Sequence, residues 1–303
     1  MHKGRGASAK YPHTIRRAKD MEYRRDDAKA VYESDLALER RRADTSLEGV
    51  EYRRDVCLGG VWERLKVTSS EGEKSIGRPV GLYDTLTLAR MDKMMPDDVE
   101  DAKEEIAREL GRICDLCDVS TERILVVGLG NRELTPDALG PLAADEVEAT
   151  MHLKAEDREL FETLECSEIC VFCPDVTVNS GMMSAELVKC VADAVRPTAV
   201  LAIDSLASRS EERLGNTVQV TNTGIIPGTG VGQRGARIDG ALLGVPVISI
   251  GIPTVIGRAN LCGSEGAGEK DCFLSPKGIN RIVKNGAKII GGGINRAFGI
   301  SYF

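Results

Sequence analysis

Apolar residues gather in four short runs from residue 123 onward: "RILVVGLG" (Arg123 to Gly130), "ICVFCPDV" (Ile169 to Val176), "PTAVLAID" (Pro197 to Asp204) and "VPVISIGIPTV" (Val245 to Val255). Near-continuous runs of this length, rich in β-branched residues, are expected of strands buried on both faces. Between and beyond them the apolar spacing changes to a period of 3.6 residues, over Ser184 to Val195 and again over Ser275 to Phe298, which predicts helices. Pro96 to Leu116 reads as a further helix, with a polar face and with acids in its first turn, where the helix dipole favours them. Repeated strand-helix units predict a mainly parallel sheet with helices on both faces, and sites in such sheets form at the carboxyl ends of strands.

Upstream the pattern weakens. Residues 61–90 are strand-like, short and broken by turns. Residues 1 to about 56 differ in kind: the first thirty hold nine Lys/Arg against four Asp/Glu, and "EYRRD" occurs twice, at Glu22 to Asp26 and Glu51 to Asp55. A charge-rich segment with few apolar residues cannot offset its ordering entropy by burial. It reads as an arm, either a solvated extension or a regulatory segment.

The 303 residues carry a net charge of −7, which gives no general attraction to nucleic acid or to an anionic membrane. No apolar run reaches the roughly 18 to 20 residues that span a bilayer, and the first thirty residues lack the apolar core of a secretion signal, so a cytoplasmic protein is expected. Nine cysteines in or near apolar segments predict reduced, buried thiols and no disulfide framework. Cys114/Cys117 and Cys170/Cys173 imitate the spacing of a structural zinc site, but positions three apart on a strand point to opposite faces. No metal and no cofactor are expected.

Two aspartates follow predicted strands: Asp137, one loop after "ILVVGLG", and Asp204, at the end of "AVLAID". Two carboxylates at close range cannot both ionise easily, so such a pair can divide general-base and general-acid roles on a water molecule. The plainer alternatives are a helix-start acid for Asp137 and a cap or loop residue for Asp204. Thr135-Pro136-Asp137 offers an N-cap residue, a proline at the first helical position and an acid in the first turn. "GLGNRELTPDALGP" is a poor nucleotide cradle, because it lacks the lysine and Ser/Thr of a P-loop and the third glycine of a dinucleotide site. A second glycine-rich stretch, Thr221 to Gly240, reads as a flexible loop or as a backbone wall over a cleft that admits an extended peptide. His2, His13 and His152 lie outside these motifs.

The stretches "VVGLGNRELTPDALGP", "AIDSLASRSEERLGNTVQVTNTGIIPGTGVGQ", "LGVPVISIGIPTV" and "LSPKGINRIVKNGAKIIGGGINRAF" together resemble the germination proteases of endospore-forming bacteria, which degrade the small acid-soluble proteins of spores. The resemblance implies a three-layer α/β/α sandwich like that of hydrogenase maturation proteases, with Asp137 and Asp204 as catalytic residues. It implies a zymogen that cleaves itself at a site similar to those in its substrates: an acid, a large apolar residue, alanine and a further acid. "YESDLALERR" (Tyr32 to Arg41) looks like that site, with cleavage between Asp35 and Leu36, so that 1–35 is a propeptide and 36–303 a single protease domain. By the same resemblance Gly228, Gly230 and Gly232 flank the substrate channel, Arg209 and Arg213 are candidates to hold the substrate's acids, the assembly is a homotetramer and the location is the forespore or spore core. The alternative implied is a metal-dependent maturation endopeptidase. The chain departs from the family pattern at "CPDVTVNSGMMSAE", leaving Asp175 and Asn179 unassigned, and in the short stretch 256–274 where relatives carry a long insertion.

Overall fold

The computed structural model describes residues 34–41, 47–228, 236–257 and 272–299. Nine strands form one sheet: β1 (Val50–Cys57), β2 (Gly60–Val67), β3 (Gly81–Leu88), β4 (Arg123–Gly128), β5 (Glu168–Phe172), β6 (Ala199–Ser208), β7 (Thr217–Thr221), β8 (Val247–Gly257) and β9 (Phe273–Leu274). Their spatial order is β1-β2-β3-β7-β8-β6-β4-β5, with β9 on the end of β8.

The four apolar runs lie side by side as the parallel set β5-β4-β6-β8. Successive side chains on a strand point to opposite faces, so each run feeds two cores. Val126, Ile203 and Ile250 pack with Ile106 and Leu110 of the helix Pro96–Leu116 and with Ile290 and Ile294 of the helix Ile279–Phe298. On the opposite face Leu125, Val127, Val200 and Ala202 pack with Val188 and Ala192 of the helix Ser184–Val195. This is the expected three-layer sandwich.

The sheet is mainly parallel only in this half. Beyond β8, the strands β7, β3, β2 and β1 run antiparallel to their neighbours, so the sheet as a whole is mixed. The turn Leu58-Gly59 between β1 and β2 is too short for the dozen-residue crossover that a parallel pair needs. The arm also differs from expectation: the second "EYRRD" copy lies within β1, where Tyr52 Oη donates to Glu63 (2.9 Å) and Arg64 donates to Asp55 (2.7 Å) across the hairpin. Cross-strand pairing thus gives a polar strand the partners that burial would otherwise supply. Residues 34–41 are docked against the body, with Ser34, Leu36 and Ala37 fully buried.

Among the described residues no helix is long and apolar enough to cross a membrane. The eight described cysteines are free; only Cys114 is fully buried, and Cys190 is exposed.

Candidate active site

Asp137 sits where β4 leaves the sheet. The chain does enter a helix here, but Thr135 is not its cap: Thr135–Asp137 form a separate 3-10 turn, and the helix proper runs from Leu139 to Asp145. Two bonds explain the break. The Thr254 hydroxyl of β8 donates to the Pro136 carbonyl (2.6 Å), drawing it to the neighbouring strand, and the Asp137 carboxylate turns back to accept the Asn131 N–H (2.8 Å). Gly130 has φ +112° and lies so close that an added Cβ would stand 2.1 Å from the Asp137 carbonyl oxygen. A side chain there would both strain the backbone and displace the aspartate.

Asp204 does not end its strand. β6 continues four residues further, to Ser208, paired with β8 throughout. Asp204 is buried, opposite Gly251 of β8, and Gly251 is in turn opposite Gln219 of β7. Gln219, Gly251 and Asp204 therefore form one row on one face of the sheet. Strands are spaced about 4.8 Å apart, so the two side chains stand about 10 Å apart along the row, with the Leu206 side chain lying over Gly251 between them. A Cβ on Gly251 would come within 2.5 Å of the Asp204 carbonyl oxygen.

Burial pushes the Asp204 carboxyl well above its ordinary range, and the charges of Asp137 and Asp35 push it further, against one opposing bond from the Ser205 N–H. Burial also raises Asp137, but the Asn131 N–H holds it down. The more deeply buried Asp204 therefore keeps its proton more readily, and Asp137 is the easier of the two to ionise.

The chain's own residues 34–41 lie along this face. Asp35 pairs with Ala207 of β6 twice, its N–H donating to the carbonyl (2.9 Å) and its carboxylate accepting the Ala207 N–H (2.8 Å). Gln219 spans the residue Leu36: its Nε2 donates to the Asp35 carbonyl (3.2 Å) and its Oε1 accepts the Ala37 N–H (2.9 Å). Ala37 and Leu38 enter an apolar pocket of Leu65, Val67, Ile76 and Tyr83. Glu39 accepts from the Ser208 hydroxyl (2.6 Å), the Arg209 N–H (2.7 Å) and the Ser210 N–H (3.1 Å). Asp35 and Asp204 line the same cleft, together with Gly224, Ile225 and Gly228 of the glycine loop.

The sequence-predicted residues divide accordingly. Asp35, Asp204 and Gly228 line the cleft; Leu36 is buried next to Asp35, Asp137 is not in that lining but its charge acts on Asp204, and Gly230 and Gly232 lie outside the described residues. Arg209 meets the docked acid through its backbone N–H, and the Arg213 guanidinium is paired with Glu63 (3.4 Å). Asp175, at φ +61°, accepts from Val176 N–H and Asn179 Nδ2 in a local turn away from the cleft. From the short stretch 256–274, Phe273 and Leu274 fold back onto β8, and 258–271 lie outside the described residues. Among the described residues no three His, Cys, Asp or Glu side chains converge as metal ligands. Gln219, Gly251 and Ser208 went unnoticed in the sequence. Their signals were the polar residue inside "TVQVT" and the glycine inside "ISIGIPTV".

The germination protease family model matches residues 27–265, which takes in the docked segment, both aspartates and the glycine loop. The chain is similar to the germination protease of Caldanaerobacter subterraneus subsp. tengcongensis, at 35% identity over 87% of this chain and 93% of that protein. It is 30% identical to the germination protease of Clostridium perfringens, over 87% of this chain and 94% of that one. Among solved structures, a NiFe hydrogenase maturation protease from Thermococcus kodakarensis aligns at 19% identity with a TM-score of 0.35, over 60% of this chain and 99% of that one. A family model that matches residues 27–265, with relatives 30–35% identical over 87% of the chain, places the protein plainly: it belongs to the germination protease family and is a peptidase.

Proposed function

We propose that this peptidase is an endopeptidase of small acid-soluble spore proteins, made as a zymogen that cleaves its own Asp35–Leu36 bond, with Asp137 and Asp204 acting as a pair on one water. The observation that carries the reading is the docked segment: residues 34–41, which have the sequence of a processing site, lie in the cleft beside the buried Asp204. The order of the two pKa values supports the division of labour. Asp137, as carboxylate, takes a proton from water while the water oxygen adds to the Asp35 carbonyl carbon. Asp204, as the acid, gives its proton to the Leu36 nitrogen as the C–N bond breaks. One water is consumed, and a carboxyl group and an amine are released.

Residues 1–35 are then the propeptide, and substrates present the same features that the segment presents here: a small-apolar pair for the Leu65/Tyr83 pocket and an acid for the Ser208–Ser210 turn. The homotetramer and the forespore or spore-core location belong to the same proposal. Incubating the full chain at mildly acidic pH and following it by mass spectrometry tests it. A new N-terminus at Leu36 is expected; an intact chain, or cleavage only at other bonds, sinks the reading.

A further inference from the structure

We infer that Gln219 is a catalytic residue of the peptide-bond hydrolysis, the group that binds the scissile carbonyl oxygen and holds it as it becomes an oxyanion. The inference rests on the proposed Asp35–Leu36 cleavage and adds to it a part that the carboxylate pair does not supply. Addition of water to the Asp35 carbonyl carbon puts negative charge on that carbonyl oxygen. Two aspartates, one ionised and one protonated toward the leaving nitrogen, give this charge no donor.

Gln219 is placed to give one. It is buried, and its Nε2 already donates to the Asp35 carbonyl oxygen at 3.2 Å. Its orientation is not free: the Ala37 N–H can only donate and so claims Oε1 (2.9 Å), which turns Nε2 toward the Asp35 oxygen. The amide thus spans Leu36, holding the carbonyl of the Asp35–Leu36 bond and the N–H of the next peptide, and fixes that carbonyl toward β7. The sheet register places Asp204 in the same row, on the far side of Gly251. Gly251 has no side chain, and the space over it is taken by the Leu206 side chain of β6, an apolar neighbour on the row that holds the amide and the carboxyl. A preorganised donor in a site closed to bulk water acts strongly on developing charge and needs no reorganisation at the moment of reaction.

In the reaction, the water oxygen bonds to the Asp35 carbon, its proton passes to Asp137, and the carbonyl π pair moves to the oxygen held by Gln219. The pair returns as the C–N bond breaks and the Asp204 proton passes to the Leu36 nitrogen.

The test uses the full chain. Gln219→Met removes the amide at similar volume; Gln219→Glu keeps an acceptor for the Ala37 N–H and loses the donor. Self-processing is followed as a first-order rate by intact mass, and docking of the segment by hydrogen exchange over residues 34–41. A rate loss of about a hundredfold or more is expected in both, with exchange protection of the segment kept in Gln219→Glu. Processing within about threefold of the wild-type rate in Gln219→Met overturns the inference. So does a rate loss matched by an equal loss of protection in either folded variant, since Gln219 would then be an anchor only. If the wild-type chain makes no cut at Asp35–Leu36, this inference and the proposed function fall together; a wild-type cut with an unaffected Gln219→Met sinks the Gln219 role alone.

Discussion

The parallel strands β8, β6, β4 and β5 and the antiparallel strands β7, β3, β2 and β1 share one sheet, yet they bury it in different ways. In the parallel half both faces are covered by aliphatic side chains, and the two aspartates stand at its edge on a framework with little room to move. In the antiparallel half the face toward the helix Pro96–Leu116 is in part ionic. Asp84 and Glu109, both buried, meet Arg112, with Arg112 Nε donating to Glu109 at 2.9 Å, and Trp62 Nε1 donates to Glu105 at 3.0 Å. The opposite face of this half receives the chain's own segment in a small apolar pocket. The parallel half therefore carries the two aspartates and the β6 groups that hold Asp35 and Glu39, and the other half supplies Gln219 and the apolar pocket for Ala37 and Leu38, so the contributions of the halves can be broken separately.

The largest expected effect lies in the parallel half. Asp137→Asn or Asp204→Asn removes one of the two proton-transfer groups and should slow self-processing by roughly 10²–10⁴-fold, while the far-ultraviolet spectrum stays that of the wild type. Processing at the wild-type rate in either variant would remove the aspartate pair from the mechanism.

Stability should separate the halves next. Leu201→Ala opens a cavity in the aliphatic core and is expected to cost about 3–5 kcal/mol at every pH. Arg112→Met removes the cation that touches both buried carboxylates, leaving Glu109 with Arg64 (2.6 Å) and Asp84 without its own ion pair, and should cost about 3–5 kcal/mol near pH 9, but less near pH 5. The sign follows from Asp84, which burial and the adjacent Glu109 push up to about 8. Below that value Asp84 holds a proton and has no charge to leave unpaired. Denaturant titrations of both variants at the two pH values decide this, and a pH-independent loss in Arg112→Met would refute the ionic account.

A smaller effect is expected in the reading of the peptide. Glu39→Gln keeps one oxygen to accept from Ser208 and the Ser210 N–H but loses the charge and the second oxygen, which accepts the Arg209 N–H, and self-processing should slow roughly tenfold. An unchanged rate would show that the segment is held by Gln219 and the apolar pocket alone.

The smallest effect is one of pH on stability. The folded-state pKa of Asp204 is raised, so the stability linked to its proton is present below the ordinary carboxylate value and is lost as pH rises toward the folded value. Asp204→Asn lacks this titration. Its melting temperature relative to the wild type should therefore rise between pH 4 and pH 8, and a constant difference would mean that Asp204 is not held protonated by its surroundings.

How much of this was readable along the chain depended on which half a residue belonged to. The parallel strands announce themselves because burial on both faces requires unbroken apolar runs. Pro96–Leu116 and Ser184–Val195 fall where their periodicity placed them. β1 was misread as part of an arm because an edge strand satisfied by cross-strand ion pairs has the composition of a solvated segment. Asp204 was placed at the end of its strand, since nothing in "AIDSLAS" tells where pairing with β8 stops. Gln219 was invisible as a candidate because its importance lies in register with Gly251 and Asp204, strands that are far apart in sequence.

The sequence by itself determined which strands would be buried on both faces, which aspartates would follow them and which short segment has the form of a processing site, because burial, helical period and local residue order are properties of neighbours along the chain. The tertiary structure alone decided that this segment places Asp35 in the chain's own cleft, that Gln219 holds the Asp35 carbonyl and the Ala37 N–H on either side of Leu36, and that Asp204 is driven toward its protonated form. Those facts depend on strand register and on the exclusion of water around particular groups, which arise only when distant strands are brought side by side.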